Sequence, residues 1–204
     1  MGAYYYLVSQ LPYLIYGQTP PMSPEAFREF AKPFLNAQDA SLLDIVDIDP
    51  QPLKGGDAEG PSYAENATSC GSDFIDNWRK WERTLRLNLA KQRSLKAKRE
   101  SAAPVEAPTS PTDAAFLAIR AMAAADSPLE GEILIDKARW NTIESLQGLN
   151  YFGRNTIFAH LLKLIILQRR ASFQTEIGFS EYKSLYASIL EGVQSGTSPA
   201  GEST

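Results

Sequence analysis

The stretch Ile157 to Arg170, IFAHLLKLIILQRR, is almost continuously apolar, holds one histidine and one lysine, and ends on a basic pair. It is too short to cross a bilayer: spanning roughly 30 Å of hydrocarbon takes about 20 apolar residues, and His160 and Lys163 interrupt this run. A helix that is apolar nearly all round has to be covered on most sides by other helices. This segment therefore demands a helical core around it, and 204 residues are enough to build one.

The remaining periodic segments have the same spacing. Ser23 is suited to cap a helix with Pro24 at its first position, carrying Phe27, Phe30 and Phe34, and Pro33 should end it early. Ser41 to Ile48 reads as a short acidic amphipathic piece. Ser72 is placed to cap a long helix in which Phe74, Trp78, Trp81, Leu85 and Leu89 recur every three or four residues. Asp113 to Ala125 is an alanine-rich helix whose small residues permit close approach. Ser127, Pro128 and Glu130 open the next helix with a capping box, and Gly148 ends it. Tyr4 to Val8 alone is ambiguous, fitting either a short strand or the start of a buried helix.

The expected fold class is all-α, an irregular helical bundle with that one N-terminal strand candidate. The expected organisation is an N-terminal helical segment (1–49), an acidic Pro, Gly and Ser-rich linker (50–71), a long basic helix (72–100), a Pro-rich linker (101–112), a C-terminal helical bundle (113–192) that includes a last helix with Phe179, Tyr182, Leu185, Tyr186 and Ile189, and a disordered tail (193–204).

Charge narrows the function. The formal net charge of -4 argues against a generally cationic nucleic-acid binder. Between Asp73 and Glu100, however, nine basic residues face four acids, and Arg79, Lys80, Arg83 and Arg86 fill the positions between the apolar ones. Such a helix face is either merely solvated or docks on phosphates, an acidic protein surface or lipid head groups.

Cys70 is the only cysteine, which rules out an internal disulfide and a multi-cysteine zinc site and fits a reducing compartment. The start MGAYYYLVSQLPYL has no positive segment followed by a clean apolar one, so no export signal is expected. His160 is the only histidine and lies on an apolar helix without a neighbouring nucleophile, which makes it a packed or interface residue before a catalytic base. Cys70 precedes the basic helix, where a helix dipole could lower a thiol pKa, but with no base beside it the plain loop cysteine is the stronger reading. Trp78 and Trp81 are expected in the core before any stacking role. No catalytic, cofactor-binding or metal-ligating residue is singled out, and no P-loop, H-E-x-x-H or dinucleotide fingerprint is present.

Four stretches carry a resemblance: YYYLVSQLPYL at the start, WRKWERTLRLNLAKQR in the long helix, SPLEGEILIDKARWNTIESL after the second linker, and IFAHLLKLIILQRRASFQTEIGFSEYKSL. Together they resemble a bacterial family of uncharacterised proteins encoded among the subunits of V-type (A/V-type) ATPases. SPLEGEILIDKARW is also similar to a segment of the V-type ATPase C (or d) subunit, the helical funnel between rotor shaft and membrane ring. The similarity covers Pro128, Leu129, Glu130, Glu132, Ile135, Asp136 and Trp140, with Ile135 where that subunit tends to have leucine and Trp140 where it tends to have tyrosine. This chain is much shorter than the usual three-lobed funnel.

The resemblance implies a non-catalytic, cytoplasmic, peripheral subunit or assembly factor of a V-type ATPase, a reduced C/d-like central-stalk piece among the options, with no transmembrane segment and no cofactor. Its partners would be the central stalk or the inner face of the membrane ring. The contact candidates are Arg79, Lys80, Arg83 and Arg86 on the basic helix and Glu130, Glu132 and Asp136 in the C/d-like segment. The alternative is a helical adaptor that binds nucleic acid or another anionic partner through the basic helix. An enzyme working through a carboxylate pair ranks third.

Overall fold

A computed structural model describes residues 4–48, 69–96, 114–125 and 127–173. Residues 1–168 form one compact unit and 169–204 a second, of which the described part is the end of the last helix and the two residues after it. The described residues form seven α-helices and a 3-10 turn, with no strand among them: α1 (Tyr5–Ser9), α2 (Pro24–Ala31) running into the 3-10 turn Lys32–Phe34, α3 (Ala37–Asp44), α4 (Asp73–Lys96), α5 (Ala114–Ala123), α6 (Pro128–Gln147) and α7 (Arg154–Ala171). The all-α expectation holds. The linkers across 50–68 and 101–112, the helix around Tyr182 and the tail lie outside the described residues.

α7 is the central helix that its composition demands. Ile157, Phe158, Ala159, His160, Leu161, Leu162, Leu164, Ile166 and Leu167 are all buried, which covers every side of the helix. The larger core gathers around it: Leu7 from α1, Phe27 and Ala31 from α2, Leu42 and Leu43 from α3, Phe74, Ile75 and Trp78 from the first turns of α4, and Trp140 and Ile143 from the second half of α6. A smaller core joins Leu85 and Leu89 further along α4 to Ala115, Ala118 and Ile119 of α5 and Ile135 of α6. α4 thus passes from the larger core into the smaller, while α6 passes the other way, so the two run in opposite senses. Small residues set the spacing of α5 and α6, for a Cβ on Gly131 would come within 2.8 Å of the Met122 side chain.

Several helix ends follow sequence chemistry. The Ser23 and Ser127 hydroxyls accept from Ala26 N–H and Glu130 N–H, each at 3.1 Å, and Pro24 and Pro128 occupy the first helical positions. Pro33 turns α2 into the 3-10 piece, and Gly148 stops α6 with φ +70, a conformation that side chains with a Cβ avoid.

Three expectations need correction. Tyr4 to Val8 is helical, not a strand: Val8 N–H donates to Tyr4 C=O at 2.9 Å, which satisfies the backbone locally, and Leu7 alone of α1 is buried. The piece read as Ser41 to Ile48 lies in a helix that starts earlier, at Ala37, and ends at Asp44, because the Asn36 side chain accepts from Asp39 N–H at 2.7 Å and caps it. Ser72 stands before α4, but its Oγ is buried with no hydrogen-bond partner. Asp76 secures that end instead, accepting from Cys70 N–H at 3.1 Å and from the Ser69 hydroxyl.

A polar junction ties the starts of four helices. Tyr4 OH donates to Asp39, Asn36 Nδ2 donates to Asp39 at 3.0 Å, and Arg154 at the start of α7 donates to Asp39 Oδ1 at 3.3 Å and to Gly71 C=O at 3.1 Å. Tyr4 N–H reaches Phe152 C=O at 2.8 Å. Burial, reinforced by the bond to Asp39, raises the Tyr4 phenol above its ordinary pKa, so it stays a donor at neutral pH.

Leu164 is fully buried, whereas Ile165 beside it is only half-buried. Leu164→Asp should cost more than about 4 kcal/mol, because an unpaired carboxylate would enter the larger core. Ile165→Asp should cost clearly less. Thermal melting checks both, and a Leu164→Asp protein melting within about one degree of the parent would contradict the burial of α7.

Candidate functional site

The densest charged cluster sits where the two cores meet. On α4, Trp78, Glu82, Leu85 and Leu89 lie on one helical face, so a glutamate occupies a core position, and Glu82 is fully buried. On α6, Asp136 and Arg139 fall among the buried Ile135, Trp140 and Ile143. The Arg139 guanidinium forks onto Glu82, Nη2 donating to Oε1 at 2.8 Å and Nε to Oε2 at 3.1 Å, while Nη1 donates to Asp136 Oδ1 at 2.8 Å. Arg86 adds a third donor to Glu82, Nε to Oε1 at 3.1 Å. Two carboxylates and two guanidiniums balance. Burial alone would lower the Arg139 pKa, but Glu82 and then Asp136 outweigh it and raise the value, so the Arg139 guanidinium stays charged.

This geometry relocates most of the expected contact residues. Asp136 is not on the surface but buried against Arg139. Arg79 and Arg86 also face inward: their Nη2 atoms donate to Ile45 C=O at 3.4 Å and Ile48 C=O at 3.0 Å, holding the chain after α3 against α4. Arg83 is half-buried, and of the four cations only Lys80 is exposed. The four therefore do not make one open patch. Glu130 is exposed and Glu132 half-buried at the start of α6, on the same helix as Asp136 but not in its cluster.

The two tryptophans are packed, with rings stacked at 5.6 Å and Trp78 Nε1 donating to Asp47 C=O at 3.0 Å. Trp81 borders both cores. His160 lies deep in α7 against the Phe27 ring, centroids 4.9 Å apart, with Nε2 buried and unpartnered. Burial, helped by Lys163, lowers its pKa to about 4, so the ring is neutral at physiological pH. At Cys70, burial followed by the nearby Asp76 carboxyl pushes the thiol pKa up, the reverse of an activated thiolate. Among the described residues no group of three or more His, Cys, Asp or Glu is placed to hold a metal ion, and no helix is long and apolar enough to cross a membrane.

Comparison with protein-family models, with curated proteins and with solved structures finds no match to this chain.

Sequence reasoning missed Glu82 and Arg139. Their signal was present: each is a charged residue at a core position of an otherwise apolar stripe, and such positions are tolerated only in pairs.

Two outcomes follow from these placements. Arg139→Met should destabilise by about 3–5 kcal/mol, because it takes the guanidinium away from the buried Asp136 and leaves Glu82 with only Arg86 of its two guanidiniums. Adding Glu82→Leu to it should cost less than the two single changes combined, with a coupling above about 1 kcal/mol in denaturant titrations, and simple additivity would contradict the pairing. His160 gives a pH signature. Its folded pKa lies below the unfolded value of about 6.5, so the unfolded chain binds the extra proton and stability is lost as pH falls from about 6.5 through 4. Between pH 7 and 4 the parent should lose about 3 kcal/mol more than His160→Leu, and parallel profiles would exclude this burial.

Proposed function

We propose that this protein works by contact and not by catalysis, as a peripheral subunit or assembly factor of a V-type ATPase. The observation that carries the reading is the match between the resembling stretches and the frame of the fold. WRKWERTLRL supplies Glu82 and Arg86 on α4, and SPLEGEILIDKARW supplies Asp136 and Arg139 on α6. These four side chains form the cluster that joins the two helices. Of the positions similar to the C/d subunit, Asp136 belongs to this cluster and Ile135 and Trp140 are buried beside it, so part of that similarity falls on residues that build the scaffold.

The electrostatics favour the same side. The buried charges are balanced among themselves, the lone histidine is neutral inside α7, and the lone thiol is driven towards its protonated form. None of these groups has the arrangement of nucleophile, base and orienting partner that acid–base or covalent catalysis uses. Nucleic-acid binding through the basic helix draws less support, because Arg79 and Arg86 are spent on carbonyls of the 45–48 segment.

Affinity purification of the tagged protein from cells that assemble a V-type ATPase should recover central-stalk or ring subunits. The variant to carry alongside it is Lys80→Glu, which reverses an exposed charge of the basic helix without touching the buried cluster. Recovery of no ATPase subunit, from cells whose complex is intact, would end this reading.

A further inference from the structure

α5 is built to be held by apolar contact alone. Of its ten residues only Arg120 has a polar side chain, and Arg120 is exposed. Ala115, Ala118 and Ile119 are buried in the smaller core, whereas Ala114, Leu117, Ala121 and Ala123 are exposed, so the helix is covered on one side only. α6 makes room for it by leaving a side chain out, since Gly131 faces Met122 where a Cβ would come within 2.8 Å. Alanine and glycine let two backbones come close, but each buries little apolar area.

The helices beneath α5 are held without it. Ser127 accepts from Glu130 N–H at 3.1 Å and caps α6 on its own, and the fork of Arg139 onto Glu82 joins α6 to α4. Further along α6, Glu144 pairs with Lys163 of α7 at 3.0 Å. α5, by contrast, is a helix of a length that is marginal in water unless packed. A short turn joins it to α6, and residues 97–113 join it to α4, which is chain enough to follow a helix that moves.

We propose that α5 is a hinged cover. It leaves α4 and α6 by way of the turn between Ala123 and Pro128 while the helices around α7 stay folded, and it uncovers an apolar seat made by Leu85, Leu89 and Ile135. An apolar surface under a helix that can leave is shown only on opening, which keeps it from being a permanent exposed patch. The device concerns the chain alone and stands or falls independently of the ATPase reading.

Hydrogen exchange of the full chain, read amide by amide, tests it. The amides of residues 118–124 should exchange at least about 100-fold faster than the slowest amides of α7. Ile166→Val trims the larger core, in which Ile166 is fully buried. It should speed the slowest α7 amides about fivefold and leave 118–124 unchanged, because the open form still contains the larger core. Low concentrations of urea should likewise accelerate 118–124 far less than α7, since leaving the seat exposes much less surface than unfolding the chain. Protection of 118–124 within about tenfold of α7, an equal gain at both places in Ile166→Val, or equal urea slopes would each mean that α5 opens only when everything unfolds, and would overturn the proposal.

Discussion

The fork between Arg139 and Glu82 is the interaction on which the arrangement of α4 and α6 depends. Glu82 has Arg86 and Arg139 has Asp136 on its own helix, but only the fork between α4 and α6 completes the buried cluster, so both apolar stripes are buried in one register. Hydrophobic burial is non-directional and tolerates sliding, whereas a planar guanidinium meeting a carboxylate at two points does not. The cluster lies at the border of the two cores, so this register also positions α5 relative to the helices around α7. Arg86 carries the constraint outward, because the guanidinium that completes Glu82 also holds Ile48.

Much of the architecture was legible because it follows from single-helix periodicity and cap chemistry. The apolar run at Ile157 required a central helix, and the pairs Ser23–Pro24 and Ser127–Pro128 marked two helix starts. The misplaced boundaries arose where short side chains compete. Asn36 starts α3 ahead of the acidic piece at Ser41, and before α4 the carboxylate of Asp76 binds Cys70 N–H and the Ser69 hydroxyl while the Ser72 hydroxyl finds no partner. α1 was ambiguous for a different reason, since one turn of apolar residues has no period to measure.

The surface was harder to foresee. A row of arginines between apolar positions looks the same in sequence whether it faces solvent or a backbone carbonyl, and the carbonyls of residues 45 and 48 lie more than thirty positions from Arg79 and Arg86. Glu130 and Asp136 show the same limit within one helix, one on the outside and the other inside the ionic cluster. What distinguishes them is the apposed helix, which the pattern of α6 alone does not contain.

The junction of Tyr4, Asp39, Gly71 and Arg154 has a consequence for how the chain is made. Tyr4 leaves the ribosome long before Phe152 and Arg154, yet its amide and its hydroxyl cluster are completed only by those residues. α1 is too short to hold a helical turn by itself. During synthesis the aromatic segment of α1 therefore waits, unfixed, through the emergence of α2 to α6, and it docks when the beginning of α7 arrives to close a loop of nearly the whole unit. A segment that emerges well before its partners is among the last to be locked in place.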